Sequence, residues 1–205
     1  MRTLFVGDVH GCANTLRKLL EKARADRVIL VGDLFAKGHD PAGVWELIRD
    51  YRAEAVRGNH DQRLLDAWGT DGKSAHHQCY RLLDDEARAW TSALPLFLHG
   101  EDWSCVHAGV HPTLGVEGTD ARTAMFVRRW PDDKNLDNPF WWQLYTGTRS
   151  ILYGHDAVRG LQLHDYTFGL DSGCTYGREL TGLIWEEREI LQEGYCEEGP
   201  PRAIG

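Results

Sequence analysis

The sequence has little with which to staple or anchor a chain other than its own core. Its five cysteines, Cys12, Cys79, Cys105, Cys174 and Cys196, are scattered and include no C-x-x-C pair. A structural zinc knuckle and a disulfide framework are both excluded by that spacing, and a reducing cytoplasm is the expected setting. No stretch approaches the roughly 18 apolar residues of a membrane helix, and no long apolar h-region precedes the first strand-like run. Positive charge is also short: 23 Lys and Arg stand against 31 Asp and Glu, a net charge of −8. That balance argues against tracking along a nucleic-acid backbone. An acidic chain can still take a phosphate ester where metal ions supply the local positive charge. There is no internal repeat and no low-complexity segment. With 42% hydrophobic residues over 205 positions, residues 1–205 read as one globular domain with a sizeable core.

The first third alternates between two periodicities. Residues 3–7 form a short continuous apolar run, a buried strand. Leu16, Leu19, Leu20 and Ala23 then repeat at helical spacing, with Asn14 as a candidate cap. "RVILVGD" is a second strand, "PAGVWELIRDY" a second helix with Pro41 in its first turn, and "EAVRGNHD" a third strand with its exit loop. Such alternation predicts a largely parallel sheet covered by helices, with ligands bound beyond the carboxyl ends of the strands. Further on, "GTDGKSAHHQ" reads as a mobile loop, "DDEARAWTSAL" as a helix and "LPLFLHGEDWSCVHAG" as a hairpin. Residues 110–150 are turn-rich and read as a substrate-facing cap. The strand-like runs of residues 151–191 predict a second, mostly antiparallel sheet, and residues 196–205 a frayed tail.

Five apolar runs end in polar residues that a core would exclude. They are "GDVHG" (Asp8, His10), "GDL" (Asp33), "GNHD" (Asn59, His60), "VHAG" (His107) and "YGHD" (His155). One aspartate after a strand is an ordinary turn former. Five such ends, most beside glycine, predict a shared site. Mixed carboxylate, amide and imidazole donors suit Mn²⁺, Fe or Zn²⁺, and suit a pair of ions if one carboxylate bridges them.

The ordered set "GDVHG … GDLFAKG … RGNHD … HAG … GH" resembles the calcineurin-like metallophosphoesterases, and within them the phosphoprotein phosphatases, from Asp8 to about Trp185. The resemblance implies an α/β fold, a β-sandwich of two mixed sheets flanked by helices. It also implies two divalent ions, with Mn²⁺ expected and Fe, Zn, Ni or Co as alternatives. Asp8 and His10 would hold the first ion, Asp33 would bridge both, and Asn59, His107 and His155 would hold the second. His60 would be the general acid. Lys37, Arg57 and one of Arg128 and Arg129, with Arg128 preferred, would hold the phosphate.

The pattern departs from protein phosphatases at "GDLFAKG". Ala36 stands where an aspartate would orient the acid, Lys37 replaces an arginine, and Asp61 is a candidate for the lost orienting role. "YGHDAVRGL … GLDSGCTYGRELTGLIW" is more similar to the symmetrical diadenosine tetraphosphatases. That branch implies attack of a metal-bound hydroxide on a phosphoanhydride and two ADP as products. A broad Ser/Thr/Tyr phosphoprotein phosphatase, an RNA 5′-end or cap hydrolase and a non-catalytic scaffold are the competing readings. The expected partner is thus a small nucleotide or phosphorylated substrate, with no membrane. Trp141, Trp142 and Tyr176 are candidates to stack on adenine, with core packing the favoured reading for the tryptophan pair. Asp171 and Cys174 read as turn residues, and His76 and His77 as surface residues near the mouth.

Overall fold

In the computed structural model, which describes residues 1–203, the chain begins with β1 (Thr3–Val6), α1 (Ala13–Ala23), β2 (Arg27–Leu30), α2 (Pro41–Asp50), β3 (Glu54–Ala55) and α3 (Asn59–Ala67). It continues through α4 (Ala75–Tyr80), α5 (Asp85–Ala93), β4 (Phe97–His99), β5 (Trp103–Val106) and α6 (Ala121–Phe126). The remainder is β6 (Ser150–Tyr153), β7 (Gln162–Leu163), β8 (Thr167–Gly169), β9 (Glu179–Ile184) and β10 (Glu189–Gly194). Two five-stranded mixed sheets result, ordered β10-β9-β1-β2-β3 and β4-β5-β6-β8-β7. Strands β1, β2 and β3 run parallel, as do β5, β6 and β8.

The continuous apolar runs follow from burial on both faces. Phe5 and Ile29 point between the sheets, where they meet Trp103, Cys105 and Leu152. Their neighbours Leu4, Val6 and Leu30 point the other way, against Leu16, Leu19 and Leu20 of α1. Residues 110–150 pack a third apolar cluster around Trp141, which is 1% exposed and donates its indole N–H to the Ala108 carbonyl at 3.1 Å.

The C-terminal runs depart from expectation. β9 adds to the first sheet antiparallel to β1, β10 pairs antiparallel with β9, and the second sheet has a parallel centre with antiparallel edges. The stretch read as a mobile loop leads into α4 and includes its first four residues; the helix is capped by the Ser74 hydroxyl and tied down by Tyr80, whose hydroxyl donates to the Thr70 carbonyl at 2.9 Å. Residues 196–203 fold back on the body, and Ile204 and Gly205 of the expected frayed tail lie outside the described residues. The Arg202 amide donates to the Thr175 carbonyl at 2.8 Å. Asn14 is not the cap of α1; the cap position is Cys12, which supplies no side-chain bond. Instead the Glu197 carboxylate accepts from the amides of Asn14 and Thr15 at 3.3 and 2.9 Å and from the Thr15 hydroxyl at 2.9 Å. A negative charge on otherwise orphaned N–H groups stabilises a helix start by about 1 kcal/mol. Glu197→Ala is expected to lower stability by about that much, read as a reduced urea midpoint at unchanged slope. An unchanged midpoint would show that the tail carboxylate contributes nothing.

Candidate metal centre

Each sheet delivers its polar tips to one edge of the sandwich, and the backbone bends sharply to do so. His10, Asp33, Lys37 and His155 all have left-handed φ angles, at 48°, 54°, 82° and 71°. Such conformations cost about 1–3 kcal/mol each in non-glycine residues and persist where surrounding bonds impose them. Those bonds are present. The His10 amide donates to the Asp33 carbonyl at 2.8 Å, joining the β1 and β2 exits. The buried Asp61 carboxylate accepts from the amides of Asp33, Leu34 and Gly58 at 2.8, 2.9 and 2.9 Å. The His60 amide donates to Asp33 Oδ1 at 2.8 Å. Gly58 is required here, since a Cβ at that position would collide with the Asp33 carboxylate.

Asp33 sits at the centre. Its Oδ2 lies 3.5 Å from His10 Nε2, and its Oδ1 lies 3.5 Å from His107 Nε2. Asp8, His10 and Asp33 form one group whose donor atoms fall within 4.8 Å of one another; Asp33, His107 and His155 form a second. Asn59 Oδ1 lies 3.0 Å from His107 Nε2 and 3.1 Å from His155 Nδ1. The outer nitrogens of these rings face carbonyl oxygens, His107 Nδ1 toward Val31 at 2.9 Å and His155 Nε2 toward Phe126 at 3.2 Å. A carbonyl can only accept, so the outer nitrogens carry the protons and the inner ones turn lone pairs toward Asn59 and Asp33. All six residues predicted as ligands are thus brought together.

The electrostatics have one remedy in common. Burial, with Asp171 and Asp33 nearby, raises the Asp8 carboxyl well above its usual range. Burial likewise raises Asp33 to about 6. It lowers His107 to about 4 and holds His10 and His155 well below the ordinary imidazole range. Neutral imidazoles with lone pairs inward, beside carboxylates that resist ionising, are what a divalent cation would satisfy. The donor set fits the divalent ions that the sequence pattern implies.

Asp8, His10, Asp33, Asn59 and His155 floor a cleft of about 240 Å³, whose walls include Lys37, Arg63, Arg128 and Tyr176. Lys37 Nζ donates to the Tyr176 hydroxyl at 3.0 Å and approaches His10 Nε2 at 3.3 Å. Arg128 donates to the His155 carbonyl at 2.9 Å, whereas Arg129 turns away over the Phe140 ring, 4.2 Å from its centroid. Arg57 is not brought to the cleft. Its guanidinium donates to the Ser92 carbonyl at 2.6 Å and to Gln62 at 3.2 Å, tying the start of α3 to the end of α5. Arg63 lines the cleft instead, and its signal in the sequence is helical: it lies four residues after Asn59 and three after His60.

Two smaller expectations change, and the core reading of the tryptophan pair holds. Asp61 uses its oxygens on backbone amides and does not touch the His60 ring, whose Nδ1 instead lies 2.9 Å from His76 Nε2. Asp171 accepts from the Gly173 amide as a turn residue should, but it also lines the cleft, where burial raises it to about 6. Trp141 is core, and the faces of Trp142 are covered by Phe140 and His164, at 5.5 and 4.2 Å between centroids. Of the three proposed base-stackers only Tyr176 reaches the cleft.

This architecture defines the chain as a member of the calcineurin-like phosphoesterase family, whose model matches residues 1–182, and so as a hydrolase. More particularly, it is 35% identical to the symmetrical bis(5′-nucleosyl)-tetraphosphatase of Actinobacillus succinogenes, covering 94% of this chain and 97% of that one. It is also 26% identical to an asymmetrical bis(5′-nucleosyl)-tetraphosphatase of Oceanobacillus iheyensis, over 93% and 91% of the two chains. A crystal structure of a protein provisionally assigned as a diadenosine tetraphosphatase superposes with a TM-score of 0.87 at 28% identity, covering 97% of this chain and 95% of that one.

Replacing the shared carboxylate is expected to damage both donor groups at once. Asp33→Asn should retain far less Mn²⁺ after loading and desalting than the unaltered chain, measured by elemental mass spectrometry, with native circular dichroism. Equal retention would show that Asp33 is not a ligand.

Proposed function

We propose that the chain is a dinuclear-metal phosphohydrolase that cleaves diadenosine tetraphosphate symmetrically, yielding two ADP. The observation that carries this reading is the cleft itself, a floor of carboxylate and imidazole donors walled by Lys37, Arg63 and Arg128. A floor of that kind suits a reacting phosphorus, and cations beyond it suit a substrate with further phosphates on either side. The higher identity to the symmetrical relative supports the position of the cut.

In this reading Asp8, His10 and Asp33 would hold one ion, and Asp33, Asn59, His107 and His155 would hold the other. Mn²⁺ is the ion assigned, with Fe, Zn, Ni and Co compatible with the same donors. Divalent ions in such a site polarise phosphoryl oxygens and lower the pKa of water from 15.7 to about 7. The chain's own residues do the rest. Lys37 and Arg128 orient the phosphoryl oxygens, and Arg63 engages the chain beyond the reacting centre. Water adds at the second phosphorus, the central anhydride oxygen departs with the other ADP, and His60 Nε2 supplies that oxygen's proton. Burial and the neighbouring Lys37 depress free His60 to about 2. An anionic polyphosphate in the cleft acts in the opposite direction, favouring the imidazolium when substrate is bound. The cytoplasm is the proposed location, supported by five cysteines that all remain unpaired.

Product chromatography with the Mn²⁺-loaded enzyme tests the reaction. ADP alone is expected from diadenosine tetraphosphate; ATP with AMP would replace symmetric by asymmetric cleavage. A higher kcat/KM on phosphopeptides or on capped RNA would overturn the substrate class. The wall is tested separately. Arg63→Ala should raise KM for the dinucleotide about tenfold, whereas Arg57→Lys, outside the cleft, should leave it within about twofold.

A further inference from the structure

His60 can serve a departing oxygen only if Nε2 faces the cleft and the other ring nitrogen is held. Among the described residues no carboxylate accepts from that ring. Asp61 is occupied by three amides, and position 36 is alanine. What meets His60 Nδ1 is His76 Nε2 at 2.9 Å. The two ring planes differ by only 15° and the centroids lie 5.1 Å apart, the separation of two imidazoles joined edge to edge through one hydrogen. On its other side the ring meets His10 at 5.1 Å in a perpendicular contact. His60 is therefore clamped with a single nitrogen free for the cleft.

His76 comes from α4, an element that otherwise gives the site nothing. That short helix is fixed independently of the metal donors. Ser74 Oγ lies 2.6 Å from His77 Nδ1, Thr70 Oγ1 lies 3.1 Å from His77 Nε2, and Tyr80 reaches back to Thr70. The His76 ring makes no other side-chain hydrogen bond among the described residues.

We infer that His76 is a positioning residue for the reaction, a neutral imidazole that accepts the Nδ1–H of His60 and so directs its Nε2–H at the leaving oxygen. One hydrogen occupies the space between the two nitrogens, so His60 keeps it on Nδ1 and releases only the proton on Nε2. The His60 ring is left neutral, its remaining Nδ1–H still donated to His76, and Nε2 is reprotonated from water. The inference rests on the general-acid reading of His60, and a nucleotide, being a good leaving group, exposes it least. Aryl phosphates serve better as probes, because p-nitrophenolate departs easily and unsubstituted phenolate does not.

The test compares the Mn²⁺-loaded full chain with His76→Ala, His76→Phe, His76→Gln, His60→Ala and the His60→Ala/His76→Ala double variant. Thermal unfolding and metal content serve as controls. His76→Phe keeps the ring's bulk should the alanine variant fold poorly. With phenyl phosphate, His76→Ala and His76→Phe are expected to lower kcat at least tenfold at unchanged KM. With p-nitrophenyl phosphate the loss should be under about twofold. His76→Gln, whose amide oxygen can accept, should restore most of the loss, and the double variant should be no slower than His60→Ala. Equal losses of the His76 variants on both substrates, or none, while His60→Ala still discriminates between leaving groups, would overturn the role of His76 and leave His60 as the acid. Equal losses for His60→Ala would overturn the acid itself and the inference with it. A second readout is independent of turnover. In ¹⁵N-histidine spectra a slowly exchanging His60 Nδ1 proton should be present in the unaltered chain and absent in His76→Phe. Its persistence in that variant would also overturn the inference.

Discussion

The carboxylate of Asp61 holds the β2 exit against the start of α3. It touches no substrate-facing atom, yet it accepts from Asp33, Leu34 and Gly58 at once, all in the buried interior. Those three amides would otherwise be unpaired donors away from water, each costing about 1–3 kcal/mol. Asp33 comes from one side of that junction, and Asn59 and His60 follow on the other. The position of the shared carboxylate, of an amide oxygen donor and of the proposed acid thus depends on a single side chain. It is itself raised to about 6 by burial and by Asp33, so the junction is held against electrostatic resistance.

That resistance is general across the site. Asp8, Asp33, Asp61 and Asp171 are all buried within one region, and each carboxyl is raised, in the first instance by burial. Asp33 itself and three residues nearby, His10, Lys37 and His155, occupy the left-handed backbone region. A chain selected for stability alone would relax both features. Their persistence is intelligible when the whole cluster is regarded as one side of a contact whose other side is positively charged. The two sheets provide the rigidity. Asp8 and Asp33 leave adjacent parallel strands of one sheet, while His107 and His155 leave the adjacent parallel strands β5 and β6 of the other. Stacking the sheets is what closes the ring of donors.

The ligand positions were legible because each marks a break in a regular pattern. Asp8, Asp33, His107 and His155 interrupt runs that are apolar on both faces, and a sheet delivers such interruptions to one edge. Where the pattern is local and incomplete, the sequence misleads. Arg57 sits beside the motif, yet it precedes α3 and turns to the Ser92 carbonyl, whereas Arg63 is carried into the cleft by one helical turn. The C-terminal hairpin carries no mark of which sheet it joins. That depends on β1, whose far edge is left open because β2 and β3 are added on one side only. Asp171 illustrates a different limit. A residue can satisfy the chemistry of a turn and still face the cleft, and its turn chemistry is all that its neighbours in sequence disclose.

The substitution of lysine for arginine at position 37 ties these points to substrate choice. A guanidinium would grip a phosphoryl group through two parallel bonds and fix its plane. Lys37 acts as a point charge on a flexible stem, and here that stem is steadied by Tyr176, whose ring lies 5.4 Å from Nζ. Fixed geometry at the reacting phosphorus must then come from elsewhere, from the metal donors below and from Arg128, anchored on the His155 carbonyl. In the proposed reaction, a looser cation beside the reacting centre and a further arginine along the wall would align the substrate along a length of phosphate chain. A single phosphoryl group on a protein side chain would leave Arg63 without a partner. On the proposed reading, Arg63 is the part of the cleft wall that a polyphosphate would use and a monoester would not.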